Sequence, residues 1–185
     1  MNLYQNEIIE HAKKSDQNMR VAILAGFSFM ELRNSLIRDF ANAMMQELKK
    51  YDWDEVDIHW WLNEPIGTLT GMACRQNCWP KDVRVMIEAQ NGGLRGYIFG
   101  VKAEKGKVKE EDRVFIADAL NKSFSIGKPS TDWWPWYRDL DNCYRNFDSE
   151  ETLMALYRRD TMLNDLVGDI ERIRKILDSI FPKNA

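Results

Sequence analysis

The sequence predicts an α+β protein, a mainly antiparallel sheet of three to five strands packed against long amphipathic helices. It reads as a single domain over residues 1–185, with 1–15 as a peripheral helix. Three observations predict this. An alternating segment, Val83 to Gln90, passes through Asn91-Gly92-Gly93 into a second apolar run, Leu94 to Lys102. Two stripes of apolar residues at three- and four-residue spacing flank that pair, one from Phe29 to Leu48 and one from Leu163 to Ile180. Before the second stripe comes an aromatic block, Trp133-Trp134-Pro135-Trp136-Tyr137.

In chain order, Leu3, Ile8, Ile9 and Ala12 suit a short helix from Asn2 to about Lys14, and Ser15-Asp16-Gln17-Asn18 breaks it and supplies a cap for the next helix. Phe29, Leu32, Leu36, Ile37, Phe40, Met44 and Leu48 mark one face of a long helix ending near Lys50. Val56 to Leu62 reads as a strand, Asn63 to Gly67 as a turn, and Leu69 to Cys78 as either a short strand or irregular chain. In the first hairpin strand Val83, Val85, Ile87 and Ala89 share one face, and Arg84, Met86, Glu88 and Gln90 share the other, which reads as solvated. The Asn-Gly-Gly junction supplies residues that tolerate positive φ in a tight turn. Lys105-Gly106-Lys107 is a second turn, and Glu110 to Phe124 a helix with Val114, Phe115, Ala117, Ala119 and Leu120 as its apolar contacts. Its first turn is acidic, which suits the positive end of the helix dipole. Asp148-Ser149-Glu150-Glu151 is a helix start. The final stripe, Leu163, Leu166, Ile170, Ile173, Leu177 and Ile180, suits packing on the sheet, and also pairing with a second copy as a homodimer.

Composition narrows the function classes. A length of 185 residues with 44% hydrophobic and 30% charged residues supports one well-buried core. A net charge of −3 argues against a generic nucleic-acid coat, and Asp132, Asp139 and Asp141 beside the aromatic block repel phosphate, so direct nucleic-acid binding is the weaker reading. No apolar run is long enough to cross a bilayer and the N-terminus lacks the pattern of a secretory signal, so the expectation is a cytoplasmic protein without a membrane partner. Three cysteines are too few and too uneven for a disulfide framework, so reduced thiols are expected.

No complete catalytic constellation is present. Asp57, Glu88 and Gln90 imitate a divalent-metal nuclease site of oxygen ligands on neighbouring strands, with Mg²⁺ as the metal, but Gln90 stands where a lysine would supply positive charge. Cys74 and Cys78 have ligand spacing at one end only; a zinc site would need Cys143, His11 or His59 to complete it, and the expected metal is none. His59 is the one histidine placed to activate a cysteine, and reads as a packed or surface side chain. Seven tryptophans form clusters, most suited to a core, with Trp133, Trp134, Trp136 and Tyr137 as the candidate surface for a protein partner.

The order of these elements, the blocks Ile87-Glu88 and Leu94-Arg95-Gly96-Tyr97-Ile98-Phe99-Gly100, and Trp134-Pro135-Trp136-Tyr137 before a terminal amphipathic helix resemble the C-terminal region of prokaryotic and phage proteins classed as PD-(D/E)XK nuclease-like. The resemblance runs from about Met30 to Ile180. In that group the nuclease core lies upstream, and Glu88-Ala89-Gln90 departs from its Glu-x-Lys pattern. The resemblance therefore implies an accessory, non-catalytic interaction module whose partner is another protein of a nuclease, antiviral defence or phage counter-defence system. The runner-up is a metal-dependent nuclease with a degenerate motif, using Asp57, Glu88 and Gln90.

Overall fold

The computed structural model describes residues 3–58, 71–91 and 94–182. The chain divides into two compact units, Met1–Ser35 and Leu36–Ala185. The sequence sets only 1–15 apart; the division instead falls inside a helix.

The first unit is helical. Helix α1 spans Leu3–Ala12, and helix α2 begins at Asp16 and continues to Leu48. The break between them matches the sequence expectation. Ser15 Oγ accepts the backbone N–H of Asn18 at 3.1 Å, capping α2, and Asn18 Nδ2 donates back to the His11 carbonyl at 3.0 Å. At 33 residues α2 is about 50 Å long.

The second unit carries the sheet. Strands β1 (Glu55–Asp57), β2 (Gly71–Arg75), β3 (Val83–Asn91), β4 (Arg95–Ala103) and β5 (Trp136–Asp139) pair antiparallel in chain order, β1-β2-β3-β4-β5. The α+β expectation holds. The aromatic block, to which the sequence assigns no strand, supplies β5. The turn at 63–67 and His59 lie outside the described residues. Helix α3 covers Glu110–Ser123, α4 Glu150–Arg158 and α5 Asp160–Ile180. Ser149 caps α4 by accepting the N–H of Thr152 at 3.3 Å, and Arg159, at φ +32°, separates α4 from α5.

One face of the sheet makes the main core. Val83, Val85, Ile87 and Ala89 of β3 face Ala103, Val101, Phe99 and Tyr97 of β4 in register. They pack with Ile37, Phe40, Met44 and Leu48 of α2 and with the α5 stripe. Leu166, Ile170, Ile173 and Leu177 are buried there, so the apolar face that a homodimer through the terminal helix would use is already covered within the unit. Trp136 and Leu120 belong to the same core.

The opposite face differs from expectation. Arg84 and Gln90 are exposed, but Met86 and Glu88 are buried. Met86 packs with Ala73, Ile98 and Trp134, and Tyr137 lies against them. The alternation of β3 is real; what covers its second face comes from residues some fifty positions later. Helix α3 also turns differently. Its buried residues are Arg113, Ile116 and Leu120, while Val114 and Phe115 are exposed. Arg113 donates to the carbonyls of Thr131 and Asp132 at 2.6 and 3.3 Å, which fixes that orientation.

Two glycines set strand spacing. A Cβ at Gly71 would meet the Ile87 carbonyl oxygen, and a Cβ at Gly100 would meet the Trp136 carbonyl oxygen. Any side chain there would push β2 from β3 or β5 from β4.

Candidate functional site

The carboxylates of the nuclease reading share the outer sheet face but stand on strands that are not neighbours. Asp57 pairs with Ala73, which pairs with Met86, while Glu88 pairs with Gly71. Strand β2 therefore separates them, and two strand spacings put their backbones about 10 Å or more apart. Ligands of one hard cation must sit within about 2–2.6 Å of it. The outer-face positions of β2 between them are Gly71, Ala73 and Arg75, none of which is acidic. No group of three or more His, Cys, Asp or Glu residues lies together among the described residues.

Glu88 has neighbours of another kind. Gln90 Nε2 donates to Glu88 Oε1 at 2.9 Å, and Lys102 Nζ lies 3.6 Å from Glu88 Oε2. Lys102 also sits 5.3 and 5.9 Å from the ring centroids of Trp133 and Trp134. The cation missing at position 90 is thus supplied from β4, a residue that the spacing around Glu88 does not reveal. The group closes on itself: a buried carboxylate with an amide on one oxygen and an ammonium near the other, and the ammonium flanked by two rings.

The aromatic block is split between core and surface. Trp136 is 1% exposed, meets Phe99 edge-on at 5.6 Å between centroids, and donates its indole N–H to Asn121 Oδ1 at 3.1 Å. Trp134 is buried on the opposite sheet face, and Tyr137 is half-buried beside it. Trp133 alone of the four is exposed. A partner docking on the free protein meets Trp133 and the open part of Tyr137 rather than all four rings.

The thiols are free and differ in exposure. Cys74 is buried in β2, Cys78 is half-buried and Cys143 exposed. Burial pushes the Cys74 thiol up, with Glu171 and Asp57 adding to the shift, so it stays protonated and a poor nucleophile. On α5, burial raises the Asp169 carboxyl against the pull of Arg138, whose Nη2 is 3.1 Å away.

Among the described residues, the first unit carries most of the exposed large apolar side chains. Val21, Ile23, Leu24, Phe27, Met30 and Leu32 of α2 are all exposed, with Phe27 at 76% and Leu24 at 64%. Tyr4, Ile8 and Ile9 of α1 add to them. From Val21 to Met30 there is no charge in ten successive residues. A helix apolar on every side is normally enclosed by protein or lipid. The sequence signal is that uncharged run itself.

Comparison with protein-family models, with curated proteins and with solved structures finds no match to this chain.

Proposed function

We propose that this chain is a non-catalytic interaction module that binds protein through the helical unit Met1–Ser35. The observation that carries the reading is the exposure of that unit's large apolar side chains, since an apolar patch beyond scattered single residues marks an association surface. The separation of Asp57 from Glu88 by β2 supports the non-catalytic part. The resemblance to nuclease-associated proteins is the ground for assigning the partner to a nuclease, defence or counter-defence system.

The test compares the intact chain with a Leu24→Asp/Phe27→Asp variant in affinity capture and in Mg²⁺- or Mn²⁺-dependent cleavage of DNA and RNA. The expected result is protein retained by the parent and lost by the variant, with no cleavage by either. Cleavage abolished by both Asp57→Ala and Glu88→Ala would instead establish the nuclease reading.

A further inference from the structure

We propose that two copies of this chain associate antiparallel through the α2 face formed by Arg20, Leu24, Phe27 and Glu31. This rests on the interaction reading above and names the partner as a second copy.

Those four residues succeed one another at steps of four, three and four, so they line a single helix face. Leu24 and Phe27 are the two most exposed large apolar side chains of α2. Arg20 and Glu31 are exposed, and neither has an ion-pair partner among the described residues. The face is symmetric about the Ala25–Gly26 step. Both the outer charged pair and the inner apolar pair have their midpoint there. A two-fold axis through that point sets Arg20 against Glu31 of the partner subunit, and Leu24 against Phe27 of the partner subunit. Each contact then occurs twice, as a closed two-fold interface requires. A parallel arrangement would oppose like charges at both ends.

Leu24 and Phe27 with the stems of Arg20 and Glu31 make a face smaller than the about 800 Å² per partner of an interface of ordinary size, so the dimer is expected to be weak and reversible. A lipid surface fits less well. Residues 1–35 carry four basic and four acidic side chains, whereas a helix lying on anionic lipid needs a basic surplus on its polar face.

The test is sedimentation equilibrium of the full chain across the micromolar range, with Arg20→Glu, Glu31→Arg and the double exchange. The parent should dimerise reversibly. Each single exchange opposes like charges twice and should weaken association about tenfold or more. The double exchange should return it to within about threefold of the parent, a rescue that misfolding cannot produce. A parent monomeric throughout, or a double exchange no better than the singles, overturns the proposal. Co-sedimentation of a monomeric parent with phosphatidylserine vesicles also overturns it, in favour of a membrane surface. If the monomeric parent captures a different protein in the affinity experiment, the second-copy assignment fails while the interaction reading stands; capture of nothing removes both.

Discussion

The two halves of helix α2 contain similar side chains and meet opposite fates. From Leu36 onward, Ile37, Phe40, Ala41, Met44 and Leu48 are fully buried against the sheet, and Arg38, Asp39 and Glu47 occupy the remaining faces. Before Ser35, Val21, Leu24, Phe27 and Leu32 are exposed, and no polar face opposes them between Arg20 and Glu31. One half has a stripe and a sheet to receive it. The other has apolar residues all round and no cover. Apolar content is therefore not what decides burial; the angular arrangement and the surface it meets decide it.

The largest expected effect is on hydrogen exchange along this one helix. In protein diluted until monomeric, amides of Ile37–Leu48 should approach the protection of global unfolding. Those of Met19–Leu32 should exchange on the order of 1,000-fold faster, because few contacts hold that half. Equal protection in both halves would erase the contrast.

Next in size, Trp136→Ala should cost about 3–5 kcal/mol in denaturant unfolding, since the ring is enclosed and its N–H is bonded. Phe27→Ala, measured in the same dilute protein, should stay within about 0.5 kcal/mol. Comparable losses would mean that Phe27 is covered by its own chain. Gly100→Ala should cost about 1–3 kcal/mol, because the new methyl meets the Trp136 carbonyl; a neutral result would show that β5 yields without penalty.

The smallest effect is electrostatic. Asp169 has a folded-state pKa above its ordinary 3.8, so its contribution to stability is fully present below that value and is lost as pH rises through the raised one. Asp169→Asn should therefore gain on the parent across that window. The gain should stay under about 1 kcal/mol, as the side chain is partly exposed and loses its Arg138 partner. A gain that grows instead as pH falls would reverse the sign and the assignment.

How much of this is legible in the sequence depends on the range of the interaction. The hairpin, the Ser15 and Ser149 caps and the α5 stripe depend on residues a few positions apart, and the structure has all of them. Burial of Met86 and Glu88 depends on Trp134 arriving from far along the chain, and the β3 pattern cannot encode it. The orientation of α3 depends on Arg113 reaching two loop carbonyls, which outweighs the apolar pull of Val114 and Phe115. For the candidate site, shared face was legible from alternation. Adjacency was not, since strand order places β2 between the two carboxylates.

The borders of the sheet constrain how this molecule can join others. Strand β1 has three residues, and Glu55 is tied to Arg75 by a two-pronged ion pair. Beside β5, the chain's own segment is already bonded in place: Lys128 N–H donates to the Tyr137 carbonyl at 2.8 Å, and Lys128 Nζ reaches Asp139. Short, charged or self-covered borders offer no row of open amides for an incoming strand to extend. Among the described residues, both borders are therefore poor templates for strand addition, which disfavours sheet-to-sheet aggregation.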